Sequence, residues 1–187
     1  MIRILFVCFC LCFSFSAKAA THEIIKEDSV LHFTAIIDGE AATATLSNYN
    51  AEINFYPEQP DKSTIQATVD LPIGSITSDY NGLVEQVTGS SWLNTDVYDS
   101  ATLHIKAMER KTGNLYTGYG YLTLVGQSLP IKATLYIIED NKKNLVTATM
   151  IMEVNRLMYN IGKGEWKDTS KVDKTVIING RFVAKPL

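Results

Sequence analysis

The segment from Pro130 to Glu139, PIKATLYIIE, places Ile131, Ala133, Leu135 and Ile137 on one side of an extended chain. Lys132, Thr134 and Tyr136 fall on the other. Side chains alternate across a strand, so this period of two prescribes one dry face and one wet face. The period recurs along most of the sequence. Residues 30–37 align Leu31, Phe33, Ala35 and Ile37, and residues 64–71 align Ile65, Ala67, Val69 and Leu71. Further strand signals cover 101–108, 115–125, 145–154 and 174–184, while 42–56 reads as one strand or as two joined at Asn48-Tyr49-Asn50. The breaks carry turn chemistry: Asp38-Gly39, whose residues tolerate positive φ, then Lys111-Thr112-Gly113-Asn114, Gly126-Gln127-Ser128 and residues 140–144.

One stretch departs from this rule. Tyr80, Leu83, Val84 and Val87 are spaced i, i+3, i+4, i+7, which is a helical stripe. It predicts a short helix over 79–88, with Ser78 or Asp79 as its cap, Gly89 at its end and Gly82 weakening it. Trp92-Leu93 is an apolar pair suited to anchoring that helix on the sheet. About eight evenly spaced strands with short turns and one helix predict an all-β fold. Such an antiparallel sheet either closes into a barrel or folds into a sandwich.

The N-terminus reads as an export leader. Arg3 gives a basic start, residues 4–16 are apolar or small, and Ala17-Lys18-Ala19 has the small-residue spacing a signal peptidase reads. The apolar run is shorter than the roughly 18 to 20 residues that cross a hydrocarbon core, so cleavage after Ala19 is expected rather than anchoring. Cys8, Cys10 and Cys12 all fall in this leader, which leaves residues 20–187 without a disulfide framework, a thiol nucleophile or a cysteine metal site. The remainder has a single-domain length. Of the 17 Lys and Arg, Arg3 and Lys18 go with the leader, so 20 acidic side chains face 15 basic ones. That balance argues against a nucleic-acid binder and against docking on anionic lipid through a basic patch.

Alternation does not say which way the dry face looks. An outer-membrane barrel would turn it outward. Against that stand Lys106, Lys132, Glu153 and Arg181 on the polar faces, the absence of a terminal aromatic girdle residue, and a helix with no place in a lipid-facing wall. An inward face can be a packed core or the lining of a cavity. Small residues recur in the inward sets: Ala35, Ala67, Ala101, Ala107, Ala133, Ala148, Gly180 and Ala184. In a barrel of about eight strands they either leave room for a ligand or make room for Phe33, Phe55, Trp92 and Phe182. Met150 and Met152 add pliable apolar surface. Both readings stand at this point.

Chemistry is scarce. His22, His32 and His104 lie at no metal-ligand spacing and read as exposed structural histidines. Gly89-Ser90-Ser91-Trp92 lacks the second glycine of a nucleophile elbow, and Gly162-Lys163-Gly164 is too short for a phosphate loop. No general acid–base pair can be nominated, so a binding role without a cofactor fits better than an enzyme.

Four segments in order resemble the YceI-like family. Asp28-Ser29-Val30-Leu31-His32-Phe33 is similar to its opening strand, and Trp92-Leu93 with Tyr98 and Ala101 to its W-[FL]…[FY]-P-x-A stretch. Residues 120–126 with Pro130 resemble its G-x-L-T-x-x-G…P segment, and residues 155–162 its N-R-x-x-[FY]-x-I-G segment. The chain departs at Asp99, where the family has proline, and at Leu103, where it has an aromatic. The resemblance spans about residues 22–184. It implies an exported, lipocalin-like antiparallel barrel enclosing an isoprenoid lipid, such as a quinone, in an apolar tunnel.

On that reading residues 20–187 form one domain acting as a periplasmic carrier of a long-chain isoprenoid, with transient contact to the membrane or membrane proteins. The lining would comprise Phe33, Ala67, Val69, Trp92, Leu103, Ile105, Leu135, Met150 and Met152, with Tyr119, Tyr121, Tyr159 or Trp166 orienting a headgroup at the mouth. The alternative is an accessory or interaction domain whose barrel is filled by its own side chains, serving membrane redox or stress-response partners. Oligomeric state, a dimer included, is left open by the sequence.

Overall fold

A computed structural model of the chain describes residues 20–71 and 74–187. The expected leader, residues 1–19 with their cysteines, lies outside the described residues. The elements are β1 (Ala20–Ile24), β2 (Val30–Ile37), β3 (Glu40–Leu46), β4 (Tyr49–Phe55), β5 (Thr64–Asp70), β6 (Ile76–Ser78), α1 (Leu83–Thr88), β7 (Ser100–Thr112), β8 (Leu115–Leu124), β9 (Gln127–Asp140), β10 (Leu145–Asn155) and β11 (Val172–Pro186). The expected break in 42–56 falls at Ser47-Asn48, between β3 and β4. The short strands β1 and β6 have too few residues to show a period and were not legible.

All strand pairs are antiparallel. The order β1-β4-β5-β7-β8-β9-β10-β11 returns on itself because β11 also pairs with β1, with His22 opposite Pro186 and Ile24 opposite Ala184. Eight strands thus close a barrel, which leaves no free edges in the ring. The all-β barrel with one short helix is the fold the sequence implied.

β11 is long enough to serve two partners on one side. Residues near its end pair with β1, and Val172 to Arg181 pair with β2. β2 turns into β3 through Asp38 and Gly39, both at positive φ (50° and 85°), and β3 pairs with β6. These strands carry the wall past the ring, and the segment 79–99, including α1, spans from β6 to β7. The dry faces turn inward: Leu103, Ile105, Leu135, Ile137, Met150 and Met152 are buried, while Lys106, Lys132, Glu153 and Arg181 are exposed. Among the described residues no helix is long and apolar enough to cross a membrane.

Three local expectations are corrected. Strict alternation put Ala107 inward after Ala101, Leu103 and Ile105. Instead a register shift between Ile105 and Ala107 moves the phase by one, and Met108 is the buried residue. Gly120 permits that bulge, because a Cβ there would run into the carbonyl of His104. The helix is shorter than its stripe. Gly82 stands at φ 76° and α1 starts only after it, while the Ser78 hydroxyl accepts the Tyr80 N–H instead of capping the helix. His22 is buried, not exposed, with Nδ1 3.3 Å from the Ile53 carbonyl oxygen. It is drawn in because β1 is the strand that closes the ring.

The turn between β8 and β9 also sits one residue earlier than its chemistry suggested. Val125 (φ 49°) and Gly126 (φ 72°) occupy it. A β-branched residue in the left-handed region is uncommon; here the valine side chain is buried against the core.

Candidate functional site

The barrel interior divides into a packed end and a hollow end. At the packed end Phe55 meets Tyr116 edge to face at 5.6 Å, over a layer of Ile53, Ile65, Ile105, Leu135 and Ile137. At the other end lies a cavity of about 460 Å³, within the range of ligand pockets in proteins. Its walls come from β2, β3, β5, β7, β8, β10 and β11, and α1 closes one side with Leu83 and Val87. Nearly all of the surface is aliphatic or aromatic. Asp38, Tyr80, Asn81 and Gly82, all exposed, bring the β2–β3 turn and the start of the helical segment together at a mouth, and Thr102 on β7 is an exposed lining residue as well.

Eight of the residues expected from sequence line this cavity: Phe33, Ala67, Val69, Trp92, Leu103, Met150, Met152 and Trp166. Trp92 and Trp166 pack against each other with ring centroids 5.8 Å apart. The other five lie elsewhere. Ile105 and Leu135 belong to the packed layer below. Tyr119 and Tyr121 face outward, 42% and 44% exposed, where the Tyr119 hydroxyl donates to Glu109 and Lys106 sits over the Tyr121 ring. They stand on the opposite phase of β8 from Leu122 and Leu124, which do line the cavity. Tyr159 is buried beside it, its hydroxyl donating to the Leu122 carbonyl, and burial pushes its phenol pKa up.

The small residues serve both purposes weighed above. Ala35, Ala67 and Ala101 border open space. Gly118 makes room for Leu135 and Ile105, and Gly180 for the ring of Phe182.

A family model for the YceI-like domain matches residues 21–184. The chain belongs to the YceI-like family. No curated protein matches it. Among solved structures it is similar to BcnA of Burkholderia cenocepacia, with 24% identity and a TM-score of 0.80, covering 87% of this chain and 99% of that one. A polyisoprenoid binding domain from Saccharophagus degradans, described as implicated in plant cell wall breakdown, is 14% identical with a TM-score of 0.69 over 91% and 100% of the two chains. The YceI protein of Campylobacter jejuni is 15% identical with a TM-score of 0.66 over 77% and 84%. At these identities the likeness is one of fold.

The YceI-like segment at residues 155–162 has a physical reading here. Asn155 caps the following turn by accepting the Leu157 N–H. Arg156 turns inward and is 1% exposed. Its guanidinium donates to the carbonyls of Asp173 (2.8 Å), Ile161 (3.0 Å) and Val172 (2.7 Å), and packs over Trp92 at 5.3 Å. Burial lowers its pKa, and the charge of Asp173 works the other way. Gly162, at φ 83°, is required because a Cβ would collide with that guanidinium. One buried cation therefore ties the end of β10, the 156–171 connection and the start of β11 around the cavity wall.

Sequence reasoning missed Arg156 as a wall residue, along with Leu31, Ile178, Phe182 and Leu83. The four apolar ones were legible from alternation or from the helical stripe. Arg156 was not, since nothing local tells a buried arginine from an exposed one. Among the described residues no group of three or more His, Cys, Asp or Glu could hold a metal ion.

Proposed function

We propose that this protein is a non-enzymatic periplasmic carrier that holds the hydrocarbon chain of an isoprenoid lipid, of the quinone type, in the barrel cavity. Export would follow from the leader cleaved after Ala19, and exchange from transient contact with the membrane or a membrane protein. The observation that carries the reading is the hollow itself. An apolar hollow of about 460 Å³ leaves its lining side chains without packing partners on one side. An apolar guest restores those contacts, and each buried methylene adds about 0.8 kcal/mol without directional chemistry. Family membership and the likeness to the polyisoprenoid binding domain of Saccharophagus favour a polyisoprenoid over other apolar guests.

The test is extraction of the protein purified from its native envelope, followed by mass spectrometry of the organic phase. An isoprenoid recovered in near-stoichiometric amount is the expected result. Protein that yields no lipid, and takes up none when prenols are added, would sink the reading.

A further inference from the structure

Among the described residues, the cavity opens at one end of the barrel and is closed at the other. Going down from the mouth, the lining stops at a layer made by Leu31, Ala67, Leu103, Leu122, Met150 and Phe182. One layer further, Ile65 stands opposite Ile105, and Leu135 opposite Tyr116, each 1% exposed or less. The plug is tightly packed around Gly118. A Cβ on Gly118 would lie 2.7 Å from Leu135 Cδ1 and 2.9 Å from Ile105 Cγ2. Phe182 lies back over Gly180, taking the place of its missing side chain, and meets Tyr49 edge to face at 6.0 Å. Beyond the plug is a separate surface dent of about 260 Å³, bordered by His22, Phe55 and the 56–59 and 139–146 segments, and it shares no lining residue with the cavity. Of the polar lining residues, Asp38, Tyr80 and Asn81 are exposed at the mouth, Gln86 is on α1, Thr102 is on β7, and Arg156 is buried in the wall with its donors taken by backbone carbonyls.

Resting on the carrier reading, we infer that the barrel is a blind cup that sorts isoprenoid lipids by chain length. The tail enters first and ends on the floor at Leu103 and Phe182; the head of a lipid that just fills the cup sits at the mouth by Asp38 and Asn81, and the head of a longer one stays outside with its surplus units. Taking the roughly 30 Å³ that a water molecule occupies in the liquid as the size of one carbon group, 460 Å³ holds on the order of 15 carbons, or about three isoprene units. Units beyond the third or fourth stay outside and add little affinity. A tunnel open at both ends would have no such limit.

Binding of geraniol, farnesol, geranylgeraniol and the nine-unit solanesol to the delipidated protein tests this, by competition against tritiated farnesol. Affinity is expected to rise at least about tenfold per isoprene unit while the cup fills. It should then stay level, within about twofold, from geranylgeraniol to solanesol. Ala67→Leu, which adds bulk at the floor into open space, should bring the break about one unit earlier and leave geraniol within about twofold. Its thermal midpoint serves as the control for folding. An affinity that keeps climbing to solanesol overturns the cup, as does a folded Ala67→Leu protein with an unmoved break. Failure of every prenol to bind overturns the carrier reading instead, and this inference with it.

Discussion

Gly120 and Arg156 show how single residues set the geometry of the wall. The bulge in β7 brings the His104 carbonyl against the α-carbon of Gly120, so only a residue without a side chain fits. Gly120→Ala should destabilise the protein by about 2–3 kcal/mol, as overpacking against backbone does, measured as a lower urea midpoint. Arg156→Leu leaves three carbonyls without donors. At ~1–3 kcal/mol for each buried unsatisfied group, a loss of at least about 3 kcal/mol is expected by the same assay. Arg156→Lys should recover only part of it, since an ammonium cannot span the three acceptors that the planar guanidinium reaches. Near-native stability of the leucine variant would show that the clamp carries no weight.

At the scale of elements, β1 and α1 matter beyond their length. β1 pairs with both β4 and β11, so five residues close the seam of an otherwise complete ring. A chain beginning after Ile24 should keep most of its strand signal in circular dichroism yet melt about 10 °C lower, given ~2–4 °C per kcal/mol for a protein of this size and two lost ladders. An unchanged melting temperature would mean that the ring does not need its closing strand. The helix is six residues long and starts at Gly82 in the left-handed region, with no side-chain cap. Gly82→Ala should therefore cost about 1–2 kcal/mol, although nothing stands near the added methyl. A reader of the sequence could find the stripe from Tyr80 to Val87, but its first turn is undone by backbone geometry at one glycine.

Taken whole, the molecule couples a self-filled half to a hollow half, so ligand and stability are linked. A guest at about 100 times its Kd adds roughly 2.7 kcal/mol to folding, or about 5–10 °C in melting temperature for a chain of this size. Delipidated protein should show that rise when farnesol is added, read by scanning calorimetry. The effect should be nearly the same at low and high salt, because the lining is apolar and screening acts on charges. A strongly salt-dependent shift would point to a charged site instead.

Much of this architecture is local in origin. Period-two patterning and Asp-Gly turn chemistry fix which segments extend and which face is dry, because those are properties of neighbouring residues. They gave β2, from Val30 to Ile37, to the residue, and seven of the nine proposed lining side chains stand on the cavity wall, with Trp166 of the four proposed headgroup residues. Whether an inward side chain meets space or a neighbour was beyond their reach. Ala67 and Ala133 carry the same local signal, yet the first borders the hollow and the second is packed in the solid end. That difference arises where strands far apart in sequence pair: β11 exchanges β1 for β2, a bulge in β7 shifts the phase, and Arg156 gathers three distant carbonyls. Interior volume is a sum over the whole ring, so only the closed structure decides it.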